Sequence, residues 1–488
     1  MDAEHTEVLI VGAGPTGLVL AIDLARRGIP HRLVERSGRT FPGSRGSGIQ
    51  PRTLEMFDDL GVVDAVLADS APIKPMQIWD GRRRGGVRPL AEPAADSPGI
   101  PYRTPRLLPQ WRTVEILRAR LEELGGSVEF DTELTGFHQD ADGVTATLGT
   151  GATVRARYLV ATDGGRSTVR KALGVPFEGN DVASGGAIVA DLVLDGPDAD
   201  AFDTDHWHMW PRAEGGLVGI NQLPGAASKQ TIIIFEDPDH DLDIERDATP
   251  EALGRLLTER TGHRLAVREV HWASVYRPRV AMAERFRVGQ VLLAGDAAHV
   301  HPPSGGQGLN TSVQDAYNLG WKLEAVLRRG ADDTLLDTYD EERRGIAGGV
   351  LGLSQRVFRA DRADGGLSVR GPETHQLTLG YRGGALSREA RRGPDLAADA
   401  LTAGDRAPDA DGVLFDSFRG PHFTLLIVGD EPAPEAVPEW VRVCRVAAEG
   451  YVKEAYGPGV FVIRPDGYVG LAADDAAGVA DYLRVVGG

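Results

Sequence analysis

The first 35 residues contain the feature that most restricts how this chain can fold. An apolar, β-branched run from Thr6 to Val11 leads into the turn GAGPTG, which is followed by an Ala/Leu-rich helical pattern ending at Gly28. A second apolar segment, HRLVE, ends at Glu35. This order of strand, turn, helix and strand predicts a βαβ unit opening a Rossmann-like α/β domain.

The turn has the spacing of a dinucleotide-binding fingerprint. Three glycines in GxGxxG spacing permit a tight turn and a close backbone approach to a pyrophosphate, which then faces the free N–H groups of the helix. Glu35 follows 21 residues after Gly14, where a carboxylate can accept hydrogen bonds from ribose hydroxyls. The predicted contacts here are Gly12, Gly14, Pro15, Thr16, Gly17, Glu35 and Arg36. The motif alone does not choose between FAD and NAD(P).

A second cluster, VLLAGDAAHVHPPSGGQGLN, spans Val291 to Asn310. Asp296 ends an apolar strand at a small-residue turn, where its carboxylate could accept hydrogen bonds from a polyol such as the ribityl chain, which a flavin has and NAD lacks. The glycines that follow can present successive N–H groups to an anion at a helix start. His299 and His301 have no third ligand at a suitable spacing, which argues against a metal site.

Three motifs in order carry a family resemblance. GAGPTG, YLVATDGGRSTVRKALGV and the second cluster resemble the fingerprint, Asp-Gly and Gly-Asp motifs of flavoprotein aromatic hydroxylases, over roughly residues 6 to 360. The tail from about Gly404 resembles the thioredoxin-like domain of the subgroup that acts on polyketide-type aromatics. The implied fold is α/β: a Rossmann-like FAD-binding domain, an inserted antiparallel β-sheet substrate domain and a C-terminal thioredoxin-like domain.

The resemblance implies roles for individual residues. Asp296 would contact the ribityl and pyrophosphate region, Pro303 would lie where oxygen adds to the flavin, and Asp163 with Gly164 would serve both FAD and NADPH. Asp163 has the alternative role of a helix N-cap, and Arg45, Gln110 and Arg112 have the alternative of ordinary exposed polar residues. The implied catalytic residues are Pro303, Gly306 and Arg45. The remaining implied cofactor contacts are Gln110, Arg112, Asp163, Gly164, Asp296, Gly308, Leu309 and Asn310.

The reaction is also taken from the resemblance. NADPH or NADH would bind transiently and reduce bound FAD, O2 would form a flavin C4a-hydroperoxide, and its distal oxygen would hydroxylate an aromatic ring or insert beside a carbonyl. No second GxGxxG is present for the nicotinamide nucleotide. The alternative is an enzyme of the same fold that uses FAD as a scaffold for a non-redox step such as cyclisation, because every motif named here binds FAD and none hydroxylates by itself.

The middle of the chain predicts the substrate domain. Between about Ala183 and His271, strand-like segments alternate with Gly, Pro and Asp turns. The candidate lining residues are Trp207, Met209, Trp210, Asn221 and Gln222, each of which could equally lie in a core or at the surface. No general base for a phenol is identified.

The predicted domains are discontinuous. Residues 1–182 and 272–362 form the FAD-binding domain, 183–271 the substrate domain, 363–403 a linker and 404–488 the thioredoxin-like domain. With Cys444 as its single cysteine, the chain lacks a C-x-x-C pair, so disulfide exchange is excluded. We expect the last domain to serve packing or dimer contact.

Charge and composition limit the partners. The net charge is −18 without a basic tract, which disfavours nucleic acid and anionic membranes. The apolar run Val8 to Ile22 follows acidic residues and is broken by Gly and Pro, unlike a signal peptide or an anchor. We therefore expect a cytoplasmic monomer or homodimer acting on a small molecule and O2.

Overall fold

The computed structural model describes residues 4–181, 186–225, 230–237, 242–277, 279–302, 304–363, 368–392 and 400–488. The helices within these ranges are α1 Pro15–Arg26, α2 Pro51–Asp59, α3 Val63–Asp69, α4 Gln110–Glu123, α5 Thr168–Ala172, α6 Ile244–Asp247, α7 Pro250–Thr261, α8 Gly308–Glu324, α9 Asp337–Ala363, α10 Val413–Phe418, α11 Gly450–Ala455 and α12 Val479–Gly487.

The strands of the described ranges follow in chain order. They are β1 Glu4–Val11, β2 His31–Val34, β3 Gly48–Ile49, β4 Ala71–Pro72, β5 Met76–Asp80, β6 Arg83–Arg88, β7 Arg106–Leu107, β8 Val128–Glu129, β9 Leu134–Asp140, β10 Gly143–Leu148, β11 Thr153–Ala161, β12 Phe177–Asp181, β13 Gly186–Asp195, β14 Trp207–Trp210, β15 Val218–Gln222, β16 Gln230–Asp237, β17 Ala266–Tyr276, β18 Arg279–Ala283, β19 Arg287–Val288, β20 Val291–Leu293, β21 His299–Val300, β22 Arg388–Glu389, β23 Phe423–Val428, β24 Val441–Val446, β25 Gly459–Ile463 and β26 Val469–Ala473.

The first sheet confirms the predicted βαβ opening. Its central order is β20-β11-β1-β2-β8, and these strands pair in parallel. The second half of β1, Val8–Val11, is apolar and buried, as expected for a parallel strand covered on both faces, and α1 packs against α4 and α8. The carboxyl ends of β1, β2, β11 and β20 therefore meet at one edge, where α/β sheets bind ligands.

A seven-stranded sheet, in the order β17-β13-β16-β15-β14-β5-β6, contains the strands predicted for the substrate domain. Its neighbouring strands are antiparallel except for the parallel pair β14 and β5. Two features were not predicted. The hairpin of β5 and β6 comes from the range assigned to the FAD-binding domain, and α7 covers one face of the sheet through Leu253 and Leu257.

The C-terminal sheet has the order β22-β26-β25-β23-β24. The pairs β22/β26 and β23/β24 are parallel and the others are antiparallel. One face of this sheet packs against Trp321 and Ala325 at the end of α8, so the last domain rests on the helix that begins at the glycine loop. No described helix is long and apolar enough to cross a membrane.

Candidate active site

The GAGPTG turn has no room for side chains at two of its glycines. Gly12 has a φ of +106°, and a Cβ there would lie 2.5 Å from the carbonyl oxygen of Thr162. A Cβ on Gly17 would lie 2.0 Å from the carbonyl oxygen of Gly12, whereas Gly14 faces open space. α1 begins at Pro15 without a side-chain cap, so its first N–H groups stay free for an anion.

Glu35 lies directly after β2, beside this turn. Its Oε2 accepts a hydrogen bond from the N–H of Ala13 at 2.9 Å, and its Oε1 accepts one from the N–H of Ser37 at 3.0 Å. Each carboxylate oxygen can accept a second bond, so the side chain keeps the capacity to hold a ribose hydroxyl. Its neighbour Arg36 is exposed.

The Asp296 turn packs against the start of α1. Gly295 has a φ of +62°, and a Cβ there would lie 2.6 Å from Oγ1 of Thr16. Asp296 is exposed to solvent just after β20, at the carboxyl edge of the first sheet, where α/β sheets bind ligands in a cleft. The surrounding protein raises the pKa of Asp296, while nearby His299 and Arg45 oppose the rise. This electrostatic contact brings Asp296 and Arg45 to the same cleft.

Arg45 connects this cleft to the seven-stranded sheet. Its Nη2 donates a hydrogen bond to Oγ of Ser274 in β17 at 2.7 Å. The guanidinium lies 5.8 Å from the ring centre of Phe41 and 5.7 Å from that of Trp272, within cation–π range. Arg45 is exposed, but these contacts hold its guanidinium between two regions of the chain.

The loop before α8 has the backbone form predicted for an anion nest. Gly305 and Gly306 have φ values of +83° and +62°. α8 begins at Gly308 without a side-chain cap, so the N–H groups of residues 308–310 have no acceptor within the helix. Pro303 lies outside the described residues.

The Asn310 side chain fixes this loop. Its Oδ1 accepts a hydrogen bond from the N–H of Gln50 at 2.8 Å, and its Nδ2 donates to the carbonyl oxygens of Gly48 and Gly306 at 2.8 and 2.6 Å. Sequence reasoning assigned Asn310 a backbone role only. The side chain adds a scaffold role, joining β3 to the helix start.

Two glutamines that sequence reasoning missed hold the carbonyl of Gly305. Nε2 of Gln50 donates to this oxygen at 3.2 Å and Nε2 of Gln307 at 2.8 Å. Both side chains are buried. A glutamine inside a glycine-rich turn was the available signal, because a buried amide there must bond to the exposed backbone around it.

Asp163 has the predicted N-cap contacts and keeps one carboxylate oxygen without a protein partner. Oδ2 accepts hydrogen bonds from the N–H groups of Thr168 and Val169 at 2.8 and 3.2 Å, which caps the start of α5. Oδ1 is buried and has no hydrogen-bond partner among the described residues. Gly164 has a φ of +80°, and Arg170 donates to the carbonyl of Ala297 at 2.8 Å, tying this motif to the Asp296 turn.

The side chains of Gln110 and Arg112 have different contacts in the structure. Oε1 of Gln110 accepts a hydrogen bond from the N–H of Gly46 at 2.8 Å, one residue from Arg45. Arg112 instead pairs with Asp69 and Glu115 at 2.7 and 2.9 Å. The structure therefore places Gln110 beside the loop that contains Arg45, whereas Arg112 contacts two acidic side chains.

Comparisons with known proteins agree with this geometry. A family profile described as FAD binding domain matches residues 5–354. A flavin-dependent monooxygenase of Mycobacteroides abscessus is 41% identical over 500 residues, covering 98% of this chain and 100% of that protein. The chain belongs to the FAD-dependent monooxygenase family. The function is thus that of a flavoprotein oxidoreductase, as predicted.

Two further relatives of this monooxygenase family are similar along their whole length. The 12-dehydrotetracycline 5-monooxygenase/anhydrotetracycline 6-monooxygenase of Streptomyces rimosus is 34% identical over 519 residues, with 98% of both chains covered. The solved ternary complex of aklavinone-11 hydroxylase with FAD and aklavinone matches with a TM-score of 0.80 and 29% identity, covering 100% of both chains.

We call the GAGPTG turn, Glu35, Asp163, Asp296 and the glycine loop before α8 the cradle of this monooxygenase. These residues fit FAD. Gly12 and Gly17 are packed against protein backbone, which keeps the turn tight, whereas Gly14 faces open space and leaves the backbone there accessible to a phosphate. Asp163 keeps a buried oxygen without a partner among the described residues, and Asp296 is exposed to solvent. Donors for the pyrophosphate and acceptors for the polyol are therefore both present.

The two faces of β14 separate the predicted substrate residues of the monooxygenase. Trp207 and Met209 both lie beside Gly219, at 3.0 and 3.2 Å from a Cβ built there. Trp210 points the opposite way: it stacks on Trp79 at 5.6 Å, and its Nε1 donates to the carbonyl of Gly81. Predicting Trp210 as a lining residue was therefore wrong, because side chains alternate along a strand and Trp210 lies in the core under α7.

Asn221 and Gln222 meet one lysine. Nζ of Lys74 donates to Oδ1 of Asn221 at 3.3 Å and to the carbonyl oxygen of Gln222 at 2.8 Å. Asn221 is fully buried, and its Nδ2 has no partner among the described residues. An unpaired buried donor is costly to a folded protein, so Asn221 is a position where a ligand acceptor would be favourable.

Asp191 in β13 is a buried acid that the sequence analysis did not predict. By strand alternation it shares a face with Val189, the face that packs on Trp272. It is 1% exposed, and neither carboxylate oxygen has a partner among the described residues. Burial raises the pKa of Asp191 to about 7; the Ser44 hydroxyl opposes the rise but does not reach hydrogen-bond geometry. A single acid within the apolar run AIVADLVL was the signal.

His299 and His301 belong to a buried hydrogen-bonded chain. Nε2 of His299 lies 2.7 Å from Oδ2 of Asp315, and its Nδ1 lies 3.0 Å from Nε2 of His301. Nε of Arg343 donates to the other oxygen of Asp315 at 2.7 Å. No three described His, Cys, Asp or Glu side chains form a group that could hold a metal ion. The histidines connect the Asp296 turn to α8 and α9.

Proposed function

We propose that this monooxygenase hydroxylates a large, electron-rich aromatic or polyketide-type molecule, or inserts oxygen beside its carbonyl. The reaction consumes one NAD(P)H, one proton and one O2, places one oxygen atom in the product and releases NAD(P)+ and water. The observation that carries this proposal is the likeness over 98% of the chain to named monooxygenases. The named substrates of the relatives, anhydrotetracycline and aklavinone, are polycyclic aromatics.

The cradle residues hold FAD in this proposal. The first N–H groups of α1 would hold the pyrophosphate, Glu35 would accept hydrogen bonds from the ribose, and Asp296 with Asp163 would contact the polyol and phosphate region. FAD supplies the two-electron chemistry that links NAD(P)H oxidation to oxygen activation. The contacts assigned are Gly12, Gly14, Pro15, Thr16, Gly17, Glu35, Arg36, Arg45, Gln110, Asp163, Gly164, Asp296, Gly306, Gly308, Leu309 and Asn310, with Pro303 at the oxygen side.

The chain contributes electrostatics and water exclusion. The nest of residues 305–310 and the start of α8 stabilise negative charge on the reduced cofactor. The seven-stranded sheet covers the cleft with Trp207, Met209 and Asn221 toward the substrate, and a covered site keeps water from diverting the oxygen into hydrogen peroxide. Arg45, held between Trp272 and Phe41, sets the distance between this sheet and the cofactor.

The remaining assignments are also proposals. The domains are taken as 1–182 with 272–362, 183–271 and 404–488, joined by a linker at 363–403. The last domain is taken as thioredoxin-like without redox chemistry. Its packing on Trp321 supports a structural role, and dimer contact is the alternative. The nicotinamide nucleotide binds transiently, and the protein acts in the cytoplasm as a monomer or homodimer.

The test uses purified FAD-loaded protein with isotopically labelled O2. Anhydrotetracycline and aklavinone are each supplied with NADPH or NADH, and the masses of the products are measured by mass spectrometry. We expect one labelled oxygen atom for each nucleotide oxidised. Product formation without nucleotide or O2 would instead establish the non-redox scaffold alternative. Arg45→Lys should lower the ratio of product to nucleotide consumed, while Arg39→Lys, at an exposed position, should not.

A further inference from the structure

A small cavity lies where the C-terminal domain meets α2 and α8. The space open to the centre of a water molecule is about 10 Å³, and the lining includes Arg52, Gln314, Asn318 and Tyr468. A polar cavity of roughly 10 to 15 Å³ holds one water molecule. These residues come from three separated segments of the chain, so whatever binds there joins the FAD-binding domain to the last domain.

Each of these four residues has one unsatisfied buried atom. Nε of Arg52, Oε1 of Gln314, Oδ1 of Asn318 and the hydroxyl of Tyr468 have no hydrogen-bond partner in the described part of the chain. Two of them are donors and two are acceptors. A single water molecule donates twice and accepts twice, which matches this set.

The orientation of the Asn318 amide is fixed by its other contacts. Its Nδ2 donates to Oε2 of Glu342 at 2.8 Å and to Oδ2 of Asp466 at 2.9 Å. Carboxylates accept and do not donate, so the nitrogen must face them. Oδ1 of Asn318 is therefore an acceptor that requires a donor from the cavity.

A row of three glutamines leads from the cavity to the glycine loop. Nε2 of Gln314 donates to Oε1 of Gln376, and Nε2 of Gln376 donates to Oε1 of Gln307 at 2.8 Å. Nε2 of Gln307 donates to the carbonyl oxygens of Gly305 and Thr374 at 2.8 and 2.9 Å. Because backbone carbonyls only accept hydrogen bonds, the amide orientation of each of the three glutamines is fixed. Oε1 of Gln314, at the far end, is therefore an acceptor that needs a hydrogen-bond donor.

We propose that one water molecule binds in this cavity and donates to Gln314, and that the resulting row of hydrogen bonds positions the Gly305–Gly306 peptide toward the flavin. The C=O and N–H of a planar trans peptide point in opposite directions. Holding the Gly305 carbonyl on Gln307 and Gln50 therefore turns the N–H of Gly306 away from them, toward the cleft. This step rests on the proposed function only in placing the reduced cofactor at that N–H.

The row also gives the last domain an effect on the site. Hydrogen bonds in a row polarise one another, so a donor at Gln314 strengthens the bond at Gly305. Tyr468 belongs to the C-terminal domain and supplies one of the two donors that fix the water molecule. Gln314, Gln376 and Gln307 are positioning residues, since none of them is placed against the substrate.

The first experiment is a crystal structure of the FAD-loaded protein at a resolution that shows ordered water. We expect one density peak in the cavity, within hydrogen-bond distance of Arg52, Gln314, Asn318 and Tyr468. An empty cavity in a well-ordered map would overturn the water site. This measurement depends on neither substrate nor nucleotide, so its failure is distinct from failure of the proposed function.

The second experiment measures the fraction of bound FAD reduced by dithionite against a reference dye. Gln314→Met keeps the side-chain volume but breaks the row of hydrogen bonds, and Tyr468→Phe removes one hydroxyl. Both variants should have a lower fraction of reduced FAD at a given dye potential. We expect the larger decrease in Gln314→Met. Tyr482→Phe is the matched control, because its hydroxyl donates to the carbonyl of Leu386. An unchanged reduced fraction in Gln314→Met protein with full FAD content would overturn the positioning role.

Discussion

The cofactor cradle and the sheet that covers it differ in how their polar groups are satisfied. In the cradle, Glu35, Asn310 and the Gly305 carbonyl each have protein partners, and Oδ1 of Asp163 is the exception. On the sheet, the carboxylate of Asp191, Nδ2 of Asn221 and Nε1 of Trp207 are buried without partners among the described residues. Unsatisfied buried groups are costly to folding. We infer that the cradle is built around one fixed ligand, while the sheet keeps polar groups for a substrate.

The largest expected effect tests the two faces of β14. Trp210→Ala removes a fully packed side chain from the core under α7 and should lower the free energy of unfolding by about 4 kcal/mol. Trp207 lies at the other end of β14, on the cleft side. Trp207→Ala should leave the free energy of unfolding nearly unchanged and raise the KM for substrate. Chemical denaturation and steady-state kinetics measure these outcomes. A stability loss in Trp207→Ala equal to that in Trp210→Ala would contradict the division into faces.

The next effect concerns the cradle. Gly17→Ala places a Cβ 2.0 Å from the carbonyl oxygen of Gly12, so the turn must open. Overpacking of this kind costs about 3 kcal/mol, which is about a 100-fold loss of FAD affinity. The ratio of flavin to protein absorbance after gel filtration reports it.

Gly345→Ala is the control for Gly17→Ala. A Cβ at Gly345 in α9 meets nothing within 4 Å, and alanine favours a helix. Its FAD content should equal that of the wild-type protein. Normal FAD binding by the Gly17→Ala protein would show that the close packing of the turn is not needed.

Much of the cradle could be predicted from the sequence, and little of the sheet could. Glycine spacing and an acid at a strand end are local signals, so Gly12, Glu35 and Asp296 could be predicted as cofactor contacts, and the close packing of the Gly12 turn is what the structure adds. Trp210 was assigned to the wrong face because a strand as short as β14 does not show which of its alternating side chains face the core. The hairpin of β5 and β6 was missed because RRGGVR lacks an alternating pattern, and Gln50 because its partner, Gly305, is distant in sequence.

The smallest effect concerns Asp191. The unfolded chain releases this proton with a carboxyl pKa of about 4, whereas burial raises the pKa in the folded chain to about 7. The folded state binds more protons between these values, so its stability falls as pH rises through that interval. Between about pH 6 and about pH 7, the wild-type protein should lose about 1 kcal/mol relative to Asp191→Asn.

Urea denaturation at several pH values measures this difference. Asp195→Asn, an exposed position at the end of the same strand, should follow the wild-type curve. A constant difference between wild type and Asp191→Asn over this range would mean that Asp191 is ionised throughout, and that a partner for it exists in solution.

The most direct test of the central claim is an anaerobic titration of the FAD-loaded protein. NADPH and, separately, NADH are added in the presence of anhydrotetracycline or aklavinone while the flavin absorption band is recorded. We expect at least one nucleotide to bleach the band and the admission of O2 to restore it. A flavin band that neither nucleotide changes, in protein that still converts a substrate, would contradict the assignment of redox catalysis to this site.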